Sequence, residues 1–140
     1  MCKTVIESYY KTNGVVTFNN PYTPDKQLLS GISVNETVDF VELYDVYTNE
    51  EIGKIQFNNI NKKTLGNPIS YVVTENISIQ LNDSSLFASN YYKSINNNYY
   101  PTGSKYIISI ASGSGDFATK KGFIVIDALE NKRLVTIVLD

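Results

Sequence analysis

The residues best placed for chemistry lie in one strand-like run, Val38 to Tyr47 (VDFVELYDVY). Side chains two apart on a strand share a face, so Leu43, Asp45 and Tyr47 put an apolar group, a carboxylate and a phenol in line. Turned toward an apolar interior, Asp45 would have its pKa raised by desolvation, and it could act as a base or orient a ligand. Facing solvent, the same Asp45 would only end the strand before the polar turn Thr48-Asn49-Glu50-Glu51, and most charged residues are exposed in this way. The catalytic candidates are therefore Asp45 and Tyr47. The ligand-binding candidates are Leu43, Asp45 and Tyr47.

Other chemistries find less support. The chain has no histidine, which removes Ser-His-Asp and Cys-His nucleophile systems and every His-based metal site. Cys2 is the only cysteine, so no intramolecular disulfide can form. The run Ser112 to Gly115 lacks the Lys-Ser/Thr ending of a phosphate-cradling loop, and a strand pattern follows it where a helix N-terminus would be needed. Glu50-Glu51, Asp83, Asp116 and Asp127 lack metal-loop spacing, so neither a metal nor a cofactor is expected. The tyrosines from Tyr91-Tyr92 to Tyr99-Tyr100 could stack on bases or sugars. Such clusters more often pack on a neighbouring strand or partner.

The elements that must position these residues read as strands. Thr4–Tyr10 and Gly14–Phe18 suggest a hairpin across Thr12-Asn13-Gly14, because Asn-Gly is a turn signal. Asn19–Asn35 holds Pro21, Pro24 and Gly31 and reads as a loop with a helical turn near Asp25–Leu29. Val38–Tyr47 and Ile52–Ile60 follow, then a polar loop-like stretch from Asn58 to Pro68. Ser70–Leu81 and Ser85–Ser94 form a hairpin across Asn82-Asp83-Ser84, and Ile95–Gly103 reads as a loop. Lys105–Ala111 is an apolar strand, and Lys121–Leu129 with Arg133–Leu139 makes the last hairpin. About eight or nine strands with regular turns suit a sandwich or barrel, and no stretch has a helical period.

The chain has 140 residues, 42% of them hydrophobic, 19% charged and 12% aromatic, with eleven tyrosines. This length favours one domain, and the Tyr, Val, Ile and Thr content favours pleated structure. The formal net charge is −2 and the pI about 5.1, so no basic excess is available to neutralise phosphates. The pairs Lys62-Lys63 and Lys120-Lys121 are the nearest to a basic patch, and they read as solvated turns. No apolar run approaches the roughly 20 residues of a membrane-spanning helix, and no secretory h-region follows Met1-Cys2-Lys3. The expected location is intracellular. Eleven lysines against the single Arg133, with abundant Asn, Ile and Tyr, fit an AT-rich source: a protist, a low-GC bacterium or a large DNA virus. In the last of these a particle-associated role would be natural.

The segment Tyr106 to Asp140 carries a more specific pattern. An apolar strand runs into Gly113-Ser114-Gly115, then Phe117, then Gly122 and two closing strands. This resembles the allene oxide cyclase and dirigent-type barrels. Val41–Tyr47 is similar to their first barrel strand and Val73–Phe87 to their mid-barrel hairpin. The resemblance implies an all-β fold, a small closed antiparallel barrel of about eight strands, with a structural corner at Gly113, Gly115, Phe117 and Gly122. It also implies a homo-oligomer and a cavity for a hydrophobic small molecule. The cyclases' strand carboxylate falls on Asp45, and their polar group two residues later on Tyr47. Their Ser-Pro pair falls near Gly53 and Lys54 and is replaced here. The dirigent His before the Asp is Tyr44.

The expected molecule is one domain over residues 1–140, with an N-terminal hairpin and loop in 1–36 and the barrel core in 37–140. Leu134 to Leu139 is apolar on both faces, which suggests a core side and a covered outer side, hence a dimer or trimer. The favoured function is a non-catalytic barrel that binds an apolar ligand or assembles with itself or another protein. The alternatives are a cyclase- or dirigent-like protein acting on a hydrophobic small molecule through Asp45, and a nucleic-acid-associated protein.

Overall fold

Alternating side chains define almost every element. The computed structural model describes residues 3–19, 26–29 (backbone only), 32–64, 69–94 and 100–140. Ten strands are present: β1 (Thr4–Lys11), β2 (Val16–Asn19), β3 (Lys26–Leu29), β4 (Ile32–Asp45), β5 (Glu51–Thr64), β6 (Ser70–Leu81), β7 (Ser84–Ser94), β8 (Lys105–Ser114), β9 (Gly122–Ala128) and β10 (Lys132–Leu139). From β4 to β10 each strand pairs antiparallel with the next. β1 then pairs with β10 along its whole length, and with β4 at Ser8↔Asp45 and Tyr9↔Tyr44. These contacts close an antiparallel barrel of eight strands.

The N-terminal part differs from the sequence expectation. β1 and β2 do not form a hairpin with each other. A 3-10 turn, Thr12–Gly14, separates them, and both lie on the edge of β4 that β5 leaves open. They are two segments of one broken stave, so the division into an N-terminal hairpin in 1–36 and a core in 37–140 does not hold. The expected helical turn near Asp25–Leu29 is also replaced, because Lys26–Leu29 is β3 and pairs with the start of β4. Of the rest of that expected loop, Asn19 ends β2 and Ile32–Asn35 begin β4, while residues 20–25 and 30–31 lie outside the described residues. The polar stretch from Asn58 is strand as far as Thr64 and pairs residue for residue with β6. Residues 65–68 and 95–99 lie outside the described residues.

The interior divides along the barrel axis. At one end Leu43, Ile79, Leu86, Ile124, Ile137 and Leu139 are each 1% exposed or less. Burying each such side chain contributes about 1.5–3 kcal/mol. At the other end the same inward phase of the strands delivers polar residues. In β4, Thr37 and Asp39 precede Val41 and Leu43; in β5, Asn59 and Asn61 follow Ile55 and Phe57; in β6, Glu75 precedes Ile77 and Ile79. Antiparallel pairing places these at one end, with Thr37 opposite Asn59 and Asn59 opposite Glu75.

The corner after β8 sits at the apolar end. Gly115 has φ +63, and a Cβ there would lie 2.6 Å from Ser84 Oγ. The Ser84 hydroxyl accepts from the Asp116 N–H at 2.9 Å, which docks the corner on the β6–β7 turn. Gly122 has φ +156, and a Cβ would come within 1.8 Å of the Val138 carbonyl oxygen. Gly113 packs its bare Cα against the Phe117 backbone, and the Phe117 ring is half-buried against the core.

Candidate functional site

The structure separates the residues that the sequence grouped. Leu43 is fully buried at the apolar end. Asp45 is the last residue of β4, and its Oδ1 accepts from the backbone N–H groups of Tyr47 at 2.8 Å and Thr48 at 2.9 Å. Its backbone oxygen also accepts from Asn49, which takes a left-handed φ of +59. Asp45 is thus a turn-capping side chain. Tyr47 is 76% exposed, and its hydroxyl donates to Glu7 on the outside. The odd-numbered face of β4 turns inward as far as Leu43, but pairing with β5 stops at Tyr44 and Asp45 turns into the cap of the next turn.

The carboxylates that do face inward are Asp39 and Glu75. Glu75 stands in the middle of β6, 2% exposed, with Val73 and Ile77 on either side in the same phase. The Tyr100 hydroxyl donates to its Oε1, and Asn90 Nδ2 donates to the same oxygen at 3.4 Å. Burial pushes the Glu75 carboxyl up to about 7, against the opposing pull of those two donors. Asp39 accepts from Asn59 Nδ2 at 2.9 Å and from the Thr17 hydroxyl of β2 at 2.6 Å.

Tyrosines form the wall around these groups. The rings of Tyr92 and Tyr100 are 4.7 Å apart, Tyr100 and Tyr106 4.9 Å, and Tyr10 and Phe57 5.9 Å. Burial first, and the neighbouring Glu75 second, drive the phenols of Tyr10, Tyr92 and Tyr100 above their ordinary range, so all three stay protonated donors. Arg133, the only arginine, is 6% exposed and donates to the carbonyl oxygens of Leu129 and Tyr100, the latter at 3.0 Å. A void of about 30 Å³ lies among Tyr10, Asp39, Phe57, Glu75, Tyr100 and Arg133, with Thr12 and Val15 at its edge. That is room for one or two waters.

Three buried atoms close by have no hydrogen-bond partner: Asn59 Oδ1, Asn61 Oδ1 and the Tyr92 hydroxyl. Folded proteins leave few such atoms unpaired, and each costs about 1–3 kcal/mol. Among the described residues no group of three or more His, Cys, Asp or Glu is placed to hold a metal.

Chemically, a carboxyl that titrates near neutral pH beside protonated phenols can give or take a proton and can hold a hydroxyl group. One signal for it was present in the sequence. Glu75 shares the odd-numbered phase of Ile77, Ile79 and Leu81, and Arg133 shares that of Val135, Ile137 and Leu139.

These features define an eight-stranded barrel of the dirigent type with one carboxylate-bearing end. Similar solved structures include a pyocyanin demethylase, 11% identical, matched over 99% of this chain and 100% of that one with a TM-score of 0.61. Another is the pterocarpan synthase dirigent protein, 13% identical, matched over 99% of this chain and 87% of that one with a TM-score of 0.53. At these identities the likeness is one of fold. No protein-family model matches the sequence, and no curated protein matches it.

Proposed function

We propose that this protein binds a small, mostly apolar molecule bearing a hydroxyl or amine donor in the polar end of its barrel. One observation carries the reading: a phenol, the side chain of Tyr100, sits there with its hydroxyl on the buried Glu75 carboxyl. The aromatic wall and the acceptor row of Asp39, Asn59, Asn61 and Glu75 suit such a guest. The void is smaller than an aromatic ring, so a guest takes the place of the Tyr100 side chain and its own hydroxyl replaces that of Tyr100 on Glu75. The names demethylase and synthase of the two similar structures point to small molecules as well.

The test uses p-cresol, the tyrosine side chain as a free molecule, followed by saturation-transfer NMR. Binding to the wild-type protein is expected, strengthened by Tyr100→Ala, which removes the internal competitor, and weakened about tenfold when Glu75→Leu is added. No binding to either the wild type or Tyr100→Ala overturns the reading.

A second reading, self-assembly, rests on the outer face of the closing strands. Val5, Val138 and Phe123 lie side by side across β1, β10 and β9, and Val5 is 54% exposed. This row supports a dimer or trimer packed on β9–β10. Light scattering that reports a monomer at micromolar concentration contradicts it.

A further inference from the structure

A second site lies outside the barrel, where β1 leaves β4. There Lys11 of β1 stands directly opposite Lys132 of β10, both on the outer face and both exposed. Like charges placed opposite one another on a sheet destabilise it. The two ammonium groups are each held over a ring: Lys11 Nζ lies 4.9 Å from the centre of Tyr44, and Lys132 Nζ 5.3 Å from that of Tyr9. Tyr9 and Tyr44 are themselves stacked at 5.6 Å across the β1–β4 seam. A cleft of about 480 Å³ runs between the two lysines. Its other walls are Tyr9, Thr12, Asn13, Val46, Asn49 and Asn131.

The cleft is a fixed feature. The Thr12 N–H and hydroxyl both donate to the Asn131 carbonyl oxygen, at 3.2 and 3.1 Å, which ties the end of β1 to the β9–β10 turn. The Tyr9 hydroxyl donates to Asn49 Oδ1 at 2.9 Å, which ties it to the β4–β5 turn. In a chain of net charge −2, this cleft is lined by two cations and neutral hydrogen-bonding groups and by no carboxylate. The acids around it are engaged elsewhere: Glu7 takes the Tyr47 hydroxyl, Asp45 Oδ1 takes the Tyr47 and Thr48 N–H groups, and Glu42 takes the Tyr44 hydroxyl.

We infer that this seam cleft binds a small phosphate-bearing anion, with Lys11 and Lys132 closing on it from the two sides. The anion would offset the repulsion between the facing ammonium groups, and the three asparagine amides supply neutral donors to the remaining oxygens. The cleft lies on the outer face of the wall whose inner face carries Tyr10 and Arg133, and Thr12 is the residue it shares with the edge of the void beside Glu75.

The test titrates inorganic pyrophosphate into the full-length protein at low ionic strength, read by amide shifts of Thr12, Asn13 and Asn131. Saturable shifts are expected, weakening as salt is added. Lys11→Gln with Lys132→Gln should lower the affinity at least about tenfold. The same double variant relieves the repulsion and gives up the two ring contacts, so it should melt within a few degrees of the wild type, and it should still bind p-cresol. Shifts that do not saturate, or an affinity unchanged in the double variant, overturn the inference. A single-stranded oligonucleotide that binds more tightly than pyrophosphate through the same lysines would replace it with nucleic-acid binding.

Discussion

A buried carboxyl whose pKa is raised leaves a signature in stability. Glu75 is moved from its ordinary 4.5 to about 7 by burial. Between those values the folded protein holds a proton that the unfolded chain has released, so stability falls as pH rises through the window. Below about 4.5 the cost is absent, and above about 7 it is fully present, at about 3 kcal/mol. Glu75→Gln carries no charge to bury. Urea unfolding should find it more stable than the wild type at pH 8 and indistinguishable near pH 4. A constant difference across that range would show that Glu75 does not titrate in this window. Asp45 makes a contrasting case, since its two turn hydrogen bonds are structural. Asp45→Ala should lower stability by about 1 kcal/mol and leave p-cresol binding unchanged. A loss of binding without a loss of stability would return the site to the β4–β5 turn.

At the scale of the element, the last hairpin and its corner were legible because local chemistry dictates them. Gly122 is demanded by backbone, since its missing Cβ leaves room for the Val138 carbonyl. Gly122→Ala should cost about 3 kcal/mol or more, or prevent folding; a melting temperature within a degree or two of the wild type would refute that account. Ser70–Leu81 was likewise readable, because its inward phase is mostly Val, Ile and Leu. β5 was lost halfway. Its inward residues change from Ile55 and Phe57 to Asn59 and Asn61, so the alternation that marks a strand disappears where the barrel interior becomes polar. The residues that make the candidate site are thus the ones that hid the strand carrying them. Glu75 lay in a readable strand and in its inward phase, but a carboxylate is so seldom buried that phase alone did not mark it. Asp45 was left open between two readings because a strand pattern gives the face of a side chain but does not fix the residue at which pairing stops; the strand-end reading is the one found.

For the molecule as a whole, closure was the least legible step. β1 meets β4 at only two residue pairs, then diverges through the Thr12–Gly14 turn before β2 rejoins the same edge. No local signal distinguishes this broken stave from the hairpin that Asn13-Gly14 suggests, because what decides it is the whole circumference of paired strands. The seam is therefore the weakest line of the wall. Hydrogen exchange should find the Val46 amide, which donates across the seam to the Glu7 carbonyl oxygen, less protected than those of Ile55 to Asn61, which are paired on both sides. Equal protection would mean that the barrel opens only globally.

The central claim is that the working end of the barrel is the one built on Glu75. It is tested most directly by following the side-chain carboxyl carbon of Glu75 by NMR through a pH titration, with and without p-cresol. The account predicts a midpoint near 7 in the free protein and a displaced midpoint with p-cresol bound. A midpoint near 4.5 that p-cresol does not move would contradict it.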